Sequence, residues 1–153
     1  MKTMSVQDVV IKRLELIREQ VKHFRTKQDL SIKQLADDPI AWNAVLHLLQ
    51  TSVECLTDVC AHLLTEKNYQ LPDAHREIVV MAGRSRILPY DFAERVAPMA
   101  SFRNIVVHQY LSIDPQKVDD IMKNHLSDFD DFIAHIYDYL RREGYITDET
   151  KDE

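Results

Sequence analysis

The chain has 153 residues, 45% of them hydrophobic and 29% charged, with 19 basic against 25 acidic side chains and a net charge of −6. That length suits one domain with a real core and falls short of the usual length for two. The acidic balance argues against a general nucleic-acid coat protein, whose affinity comes from clustered Lys and Arg neutralising phosphates. No run approaches the roughly 18 to 20 uninterrupted apolar residues of a membrane span, and the N-terminus lacks the apolar core of a signal peptide, so the expected location is the cytoplasm, with no membrane partner.

Only two glycines and five prolines occur, and good helix formers fill most of the windows between them, which predicts an all-α chain. Ser5 can cap a helix running to about Arg25, in which Val10, Leu14, Ile17, Val21 and Phe24 alternate spacings of four and three, a narrow seam suited to another helix. A short helical turn is expected near Ser31 to Leu35, closed by the "DDP" signal at Asp37 to Pro39. A second long helix is expected from about Ile40 to Thr65, with Val45, Leu48, Leu49, Ser52, Leu56, Val59 and Leu63 on its inner side.

Beyond "NYQLPD", Asp73 can cap a short helix to about Ala82, with Gly83 at its C-terminal cap. Another short helix begins around Pro89 and reaches "SFRNIVVHQY", Ser101 to Tyr110. Asp114 is then a good N-cap and Pro115 a good first residue for a last long helix, whose Met122, Leu126, Phe129, Ile133, Ile136 and Leu140 again alternate four and three. The predicted architecture is an up-and-down bundle of three long helices plus shorter ones. Its domain covers residues 4–143, and an acidic tail, 144–153, ends in a frayed "DETKDE".

Cys55 and Cys60 lie five apart on one predicted helix and point in different directions, so a disulfide between them is disfavoured. With His62 they form no zinc pattern, because no second ligand pair follows, and no metal site is expected. The acid is concentrated after Asp114, while Arg84, Arg86, Arg95 and Arg103 fall within one stretch of twenty residues.

At about 100° per residue, with Arg103 set to zero, Val107 falls near 40°, Asn104 near 100°, His108 near 140° and Tyr110 near 340°, while Phe102, Ile105 and Val106 lie between roughly 200° and 300°. The apolar side chains can therefore face the bundle while Arg103, Asn104, His108 and Tyr110 stay on the other side. Arginine offers a permanent charge and a planar fork matched to phosphate, and histidine exchanges a proton near neutral pH. The pair suits phosphodiester chemistry on RNA. There the 2′-hydroxyl is a built-in nucleophile, so the reaction needs acid or base at the oxygens and positive charge on the phosphorane, with no obligatory metal and no cofactor. A two-fold dimer facing the motif against its copy would double both groups around one cleft, with an exposed Val107 at the contact.

"RNIVVHQY" resembles the R-x4-H-x-Y signature of HepT toxins, a branch of the helical HEPN domains of prokaryotic ribonucleases. The similarity extends from about Val10 to Leu140 through "DDPIAWNAVLHLLQTSVECLTDVCAHLL", "FAERVAPMASFRN" and "SIDPQKVDDIMKNHLSDFDDFIAHI", in the family's order. What the resemblance implies is a metal-independent endoribonuclease, the homodimeric toxin of a type VII toxin–antitoxin system, partnered by an MntA-type nucleotidyltransferase antitoxin that transfers AMP from ATP to the signature tyrosine. By position it makes Arg103 and His108 the catalytic pair, Asn104 their supporting polar residue and Tyr110 the AMPylation site. Many relatives carry an arginine near the position of Leu46 to His47, where this chain has His47.

Two readings from different classes follow. One is the ribonuclease toxin, with RNA as substrate. The other is a catalytically inactive helical module that binds a nucleotidyltransferase or a nucleotide through the same groove, with Arg103 as a surface ion pair, His108 as a helix-end histidine and Tyr110 as an amphipathic anchor. A titratable histidine beside a phosphate-matched arginine favours the first, and the net acidity mildly favours the second.

Overall fold

The computed structural model describes residues 4–108 and 113–147, and among them all regular structure is helical. The helices are α1 (Val6–Thr26), α2 (Ile32–Ala36), α3 (Pro39–Glu66), α4 (His75–Arg84), α5 (Tyr90–His108), α6 (Pro115–Asp120) and α7 (Leu126–Arg142). A π-helical turn, Ile121–His125, joins α6 to α7 without a break. Residues 148–153 of the acidic tail lie outside the described residues.

The polar residues that start these helices do so by direct bonding to otherwise unpaired amides. Ser5 Oγ accepts from the Asp8 amide at 3.2 Å. Ser31 and Gln34 form a reciprocal capping box, and Asp38 Oδ1 accepts from the amides of Ile40 and Ala41 ahead of α3. Asp114 caps α6 through the Gln116 amide at 2.9 Å, with Pro115 in the first turn, as the sequence predicts.

The four-three seam of α1 is buried from Val10 to Phe24 and packs on α3 and α7. The predicted stripe of the last helix, Met122, Leu126, Phe129, Ile133, Ile136 and Leu140, is buried in full. The inner face of α3 is likewise buried, except for Leu48, which packs half-buried at its margin. Between α1 and α3 the apolar contact is interrupted by one polar knot. Gln20 Oε1 accepts from Thr51 Oγ1 at 2.9 Å and from Ser52 Oγ at 2.5 Å, and Ser52 is fully buried.

Three local expectations change around α4 and α5. Asp73 does not cap α4: the residue at that position is Ala74, with no side-chain cap bond. Gly83 is not a C-terminal cap but lies in the last turn of α4, and the left-handed residue that ends the helix is Arg86, φ 65°, with the Ile87 amide bonded back to the Ala82 carbonyl at 2.9 Å. The glycine serves close packing of α4 on α5, because a Cβ placed there would stand 2.5 Å from the Ala93 Cβ and 3.4 Å from the Tyr90 Cα. Finally, α5 is not short. It runs 19 residues through Pro98, whose exposed ring leaves the carbonyl four residues earlier on the solvent side.

Gly83→Ala should therefore lower stability, although alanine is the better helix former by about 1 kcal/mol. The overpacking against Ala93 costs about 1–3 kcal/mol and wins. Urea unfolding should show a lower midpoint with unchanged slope.

The π-helical turn is held from outside. Gln28 Nε2 donates to the Met122 carbonyl at 3.0 Å, and Lys123 Nζ to the Leu30 carbonyl at 3.4 Å. The loop between α1 and α2 is thereby fastened to the last helix, and Arg25 adds an ion pair to Asp130.

Candidate functional site

Of the wheel drawn over Ser101 to Tyr110, the structure describes the side chains of 101–105. Phe102 is buried and Ile105 is half-buried against the bundle, whereas Asn104 is exposed and Arg103 is half-buried. Arg103 is anchored across the groove to α3: its Nε donates to Glu54 Oε1 at 3.0 Å. Its Nη1 donates to Asn104 Oδ1 at 3.3 Å. Glu54 is braced in turn by Gln50, whose Nε2 donates to the same oxygen at 3.3 Å.

This chain of contacts holds the guanidinium in one plane. With Nε engaged by Glu54 and one Nη1 proton by Asn104, Nη2 and the second Nη1 proton are the donors left for a phosphate. The pair is about one-third exposed on both sides, 31% for Arg103 and 33% for Glu54, so water screens it and it adds little to stability. Its role is orientation.

Glu54 is absent from the sequence-level candidates. The signal was one of two carboxylates, with Asp58, in the largely apolar window "TSVECLTDV" of a helix whose inner face packs on α5. His47, raised as a substitute for an arginine on this helix, is exposed two turns before Glu54, and the α3 partner of Arg103 is Glu54.

Of the predicted site residues, Arg103 and Asn104 are brought together. For His108 the structure describes only the helical backbone at the end of α5, and for Val107 likewise. Tyr110 lies outside the described residues. Five positions separate Arg103 from His108 on one helix, which sets them about 7.5 Å apart along the axis.

On the opposite face of α5 a cleft of about 520 Å³ runs to α6 and the π-helical turn, floored by Pro98, Met99, Phe102, Ile105 and Ile121. Its rim is a chain of polar contacts. Arg95 Nη2 lies 3.2 Å from Asp128 Oδ1, and His125 places Nδ1 2.9 Å from Asp128 Oδ2 and Nε2 3.2 Å from Asp120. Asp128 is 7% exposed, so both of its oxygens are engaged where water is scarce. The network ties α5 to the last helix and keeps the motif-bearing segment registered.

Cys55 and Cys60 are free and buried, and burial pushes the Cys60 thiol up to about 12, which makes it a packing residue with no thiolate character. His62 is exposed on the far side of α3. Among the described residues no group of three or more His, Cys, Asp or Glu side chains is arranged to hold a metal ion, and no helix is long and apolar enough to cross a membrane.

Comparison with known proteins adds three likenesses of the same kind. A family model described as HepT-like ribonuclease matches residues 11–136. The tRNA nuclease HepT of Aphanizomenon flos-aquae is 26% identical over 137 residues, 89% of this chain and 93% of that protein. The mRNA nuclease HepT of Shewanella oneidensis is 22% identical over 128 residues, 84% of this chain and 96% of that one. In fold, the chain superposes on a tri-AMPylated Shewanella oneidensis HEPN toxin solved in complex with its MNT antitoxin, with a TM-score of 0.76 at 22% identity, covering 88% of this chain and 99% of that one.

Proposed function

The chain belongs to the HepT-like ribonuclease family, and from that premise we propose that it is a metal-independent endoribonuclease, the toxin of a toxin–antitoxin pair, working as a homodimer. The observation that carries this reading is the anchored Arg103. A guanidinium tethered by Glu54 and Asn104, with its end left for an anion, stands on the helix that carries His108 one and a half turns later.

In this mechanism Arg103 binds the scissile phosphate and opposes the charge that grows on its non-bridging oxygens. His108 removes the proton of the 2′-hydroxyl as the 2′-oxygen attacks phosphorus. The bond from phosphorus to the 5′-oxygen breaks, and that oxygen takes a proton from the equivalent histidine of the second copy. The products are a 2′,3′-cyclic phosphate and a free 5′-hydroxyl. The two-fold arrangement answers a geometric problem, since side chains five positions apart on one straight helix diverge by about 140°, whereas two facing helices bring an arginine and a histidine to one phosphate from opposite sides. In the same reading an MntA-type nucleotidyltransferase neutralises the toxin by transferring AMP to Tyr110.

The test is incubation of the purified protein with RNA in EDTA, with the product ends read by mass spectrometry. Cleavage that persists and leaves 2′,3′-cyclic phosphate supports the reading. Cleavage abolished by EDTA and restored by a divalent ion would replace it with a metal-dependent mechanism.

A further inference from the structure

At the other end of α5, about 20 Å along the helix from Arg103, a second cavity of about 490 Å³ opens between the α4–α5 turn and the last turns of α7. Its wall carries Arg84, Arg86 and Arg142 together with His135 and Tyr90. In a chain of net charge −6 this concentration of guanidinium groups is local and uneven.

The arginines are also organised. Arg142 Nη2 donates to the Arg86 carbonyl at 2.7 Å, and its guanidinium lies over the Tyr139 ring at 5.4 Å. That carbonyl belongs to the residue at φ 65°, a conformation glycine adopts without strain and arginine does not. Tyr90 is 44% exposed with its hydroxyl bonded to Glu94 at 2.7 Å, which fixes a large aromatic face at the cavity's edge. Among the described residues that line the wall the one carboxylate, Asp138, is 3.7 Å from Arg141 on its own helix.

We propose that this cavity is a single-stranded RNA exosite, in which Arg84, Arg86 and Arg142 hold backbone phosphates and the Tyr90 ring stacks a base of the same strand. The proposal rests on the ribonuclease reading and adds to it where the substrate is held away from the cut. Guanidinium forks beside an exposed aromatic, around a cavity the size of a nucleotide, are the elements of strand binding without base-edge readout. A protein partner would need a broad apolar core, and of the large apolar side chains on this wall Ile87 and Leu88 are buried while Tyr90 is exposed. An RNA spanning this cavity and the Arg103 groove gains affinity from both, whereas a dinucleotide reaches only the groove.

Two measurements on the full chain separate this proposal from the ribonuclease reading. Binding is followed by fluorescence anisotropy with a labelled 2′-O-methyl RNA 20-mer, which has no nucleophile and cannot be cut. Cleavage is followed on an unmodified dinucleoside monophosphate. The combined Arg84→Ala, Arg86→Gly and Arg142→Ala variant should bind the 20-mer at least about 10-fold more weakly and lose about 2 from the slope of log affinity against log salt, at about 0.7 per phosphate released. Arg86→Gly alone keeps the left-handed turn and relieves its strain, so its weaker binding should come without loss of thermal stability. Tyr90→Ala should weaken binding about 5-fold or more, and Tyr90→Phe, which keeps the ring and loses only its tether to Glu94, should weaken it by less. Dinucleotide cleavage should remain at the parent rate in all four. Unchanged affinity and salt slope in the combined variant would overturn the exosite, and so would a loss confined to binding of an acidic protein partner. Loss of dinucleotide cleavage in the parent itself would instead count against the ribonuclease reading.

Discussion

Arg103→Ala and His108→Ala should each lower the rate of RNA cleavage by about 10²-fold or more while leaving the fold intact. The magnitude follows from the two roles. A preorganised donor aimed at developing charge is worth about 10²- to 10³-fold, and a positioned general acid or base about 10²- to 10⁴-fold. The fold should survive because Arg103 sits in a one-third exposed ion pair and outside the buried cluster. Glu54→Ala, which removes only the tether, should fall between parent and Arg103→Ala, because a guanidinium free to rotate loses orientation and keeps its charge. Arg103→Lys should recover little, since an ammonium cannot offer a planar fork. Single-turnover rates on a defined RNA, with far-ultraviolet circular dichroism as the folding control, give the measurement. Full activity in both alanine variants would remove the mechanism, and an intermediate rate in Arg103→Ala equal to that of Glu54→Ala would make the arginine a structural group.

The second large effect concerns neutralisation. Tyr110→Phe should keep most of the ribonuclease activity and should escape the nucleotidyltransferase, so that partner and ATP silence the parent and leave the variant active. In the sequence spacing, seven residues at about 100° each leave an offset of about 20°, so a helical wheel drawn from Arg103 puts position 110 on the same side two turns on. AMP attached to the Tyr110 hydroxyl brings a phosphate charge and a nucleoside to the place where an RNA phosphate must bind, and its inhibition is electrostatic and steric without unfolding. Intact mass after incubation with the partner and ATP, followed by the cleavage assay, reads both halves. A variant that still gained the mass of AMP and lost activity would place the modification elsewhere. One inactive before any modification would make Tyr110 part of the catalytic centre.

Helix positions and buried faces were legible because each rests on information within a few residues: Ser5, Ser31 and Asp114 before apolar periodicity, and four-three seams that bury one side. The failures came where a distant partner decides. Gly83 reads as a cap on its own, and only the approach of Ala93 from the next helix explains a glycine there. The helix expected to be short runs on through Pro98 because that ring faces solvent, a fact that belongs to the bundle. At the candidate site, Arg103 was singled out by its place on one helix face and Asn104 by the resemblance to the R-x4-H-x-Y signature. Glu54, 49 positions away in the chain, was not, since its relation to Arg103 depends on how α3 lies along α5.

The knot of Gln20, Thr51 and Ser52 decides how α3 lies along its other neighbour, α1. A seam of fours and threes is nearly periodic, so α1 displaced along α3 by one heptad, about 10.5 Å, would again set aliphatic against aliphatic. What it would not do is return an acceptor to Ser52, whose hydroxyl is sealed from water and whose partner is the Gln20 carbonyl oxygen. The three side chains thus act as an index mark on an otherwise sliding scale, penalising every register but one. Glu54 lies two residues beyond Ser52 on the same helix, so the height of the arginine's carboxylate partner, measured along α1, is read from a mark that neither of them carries.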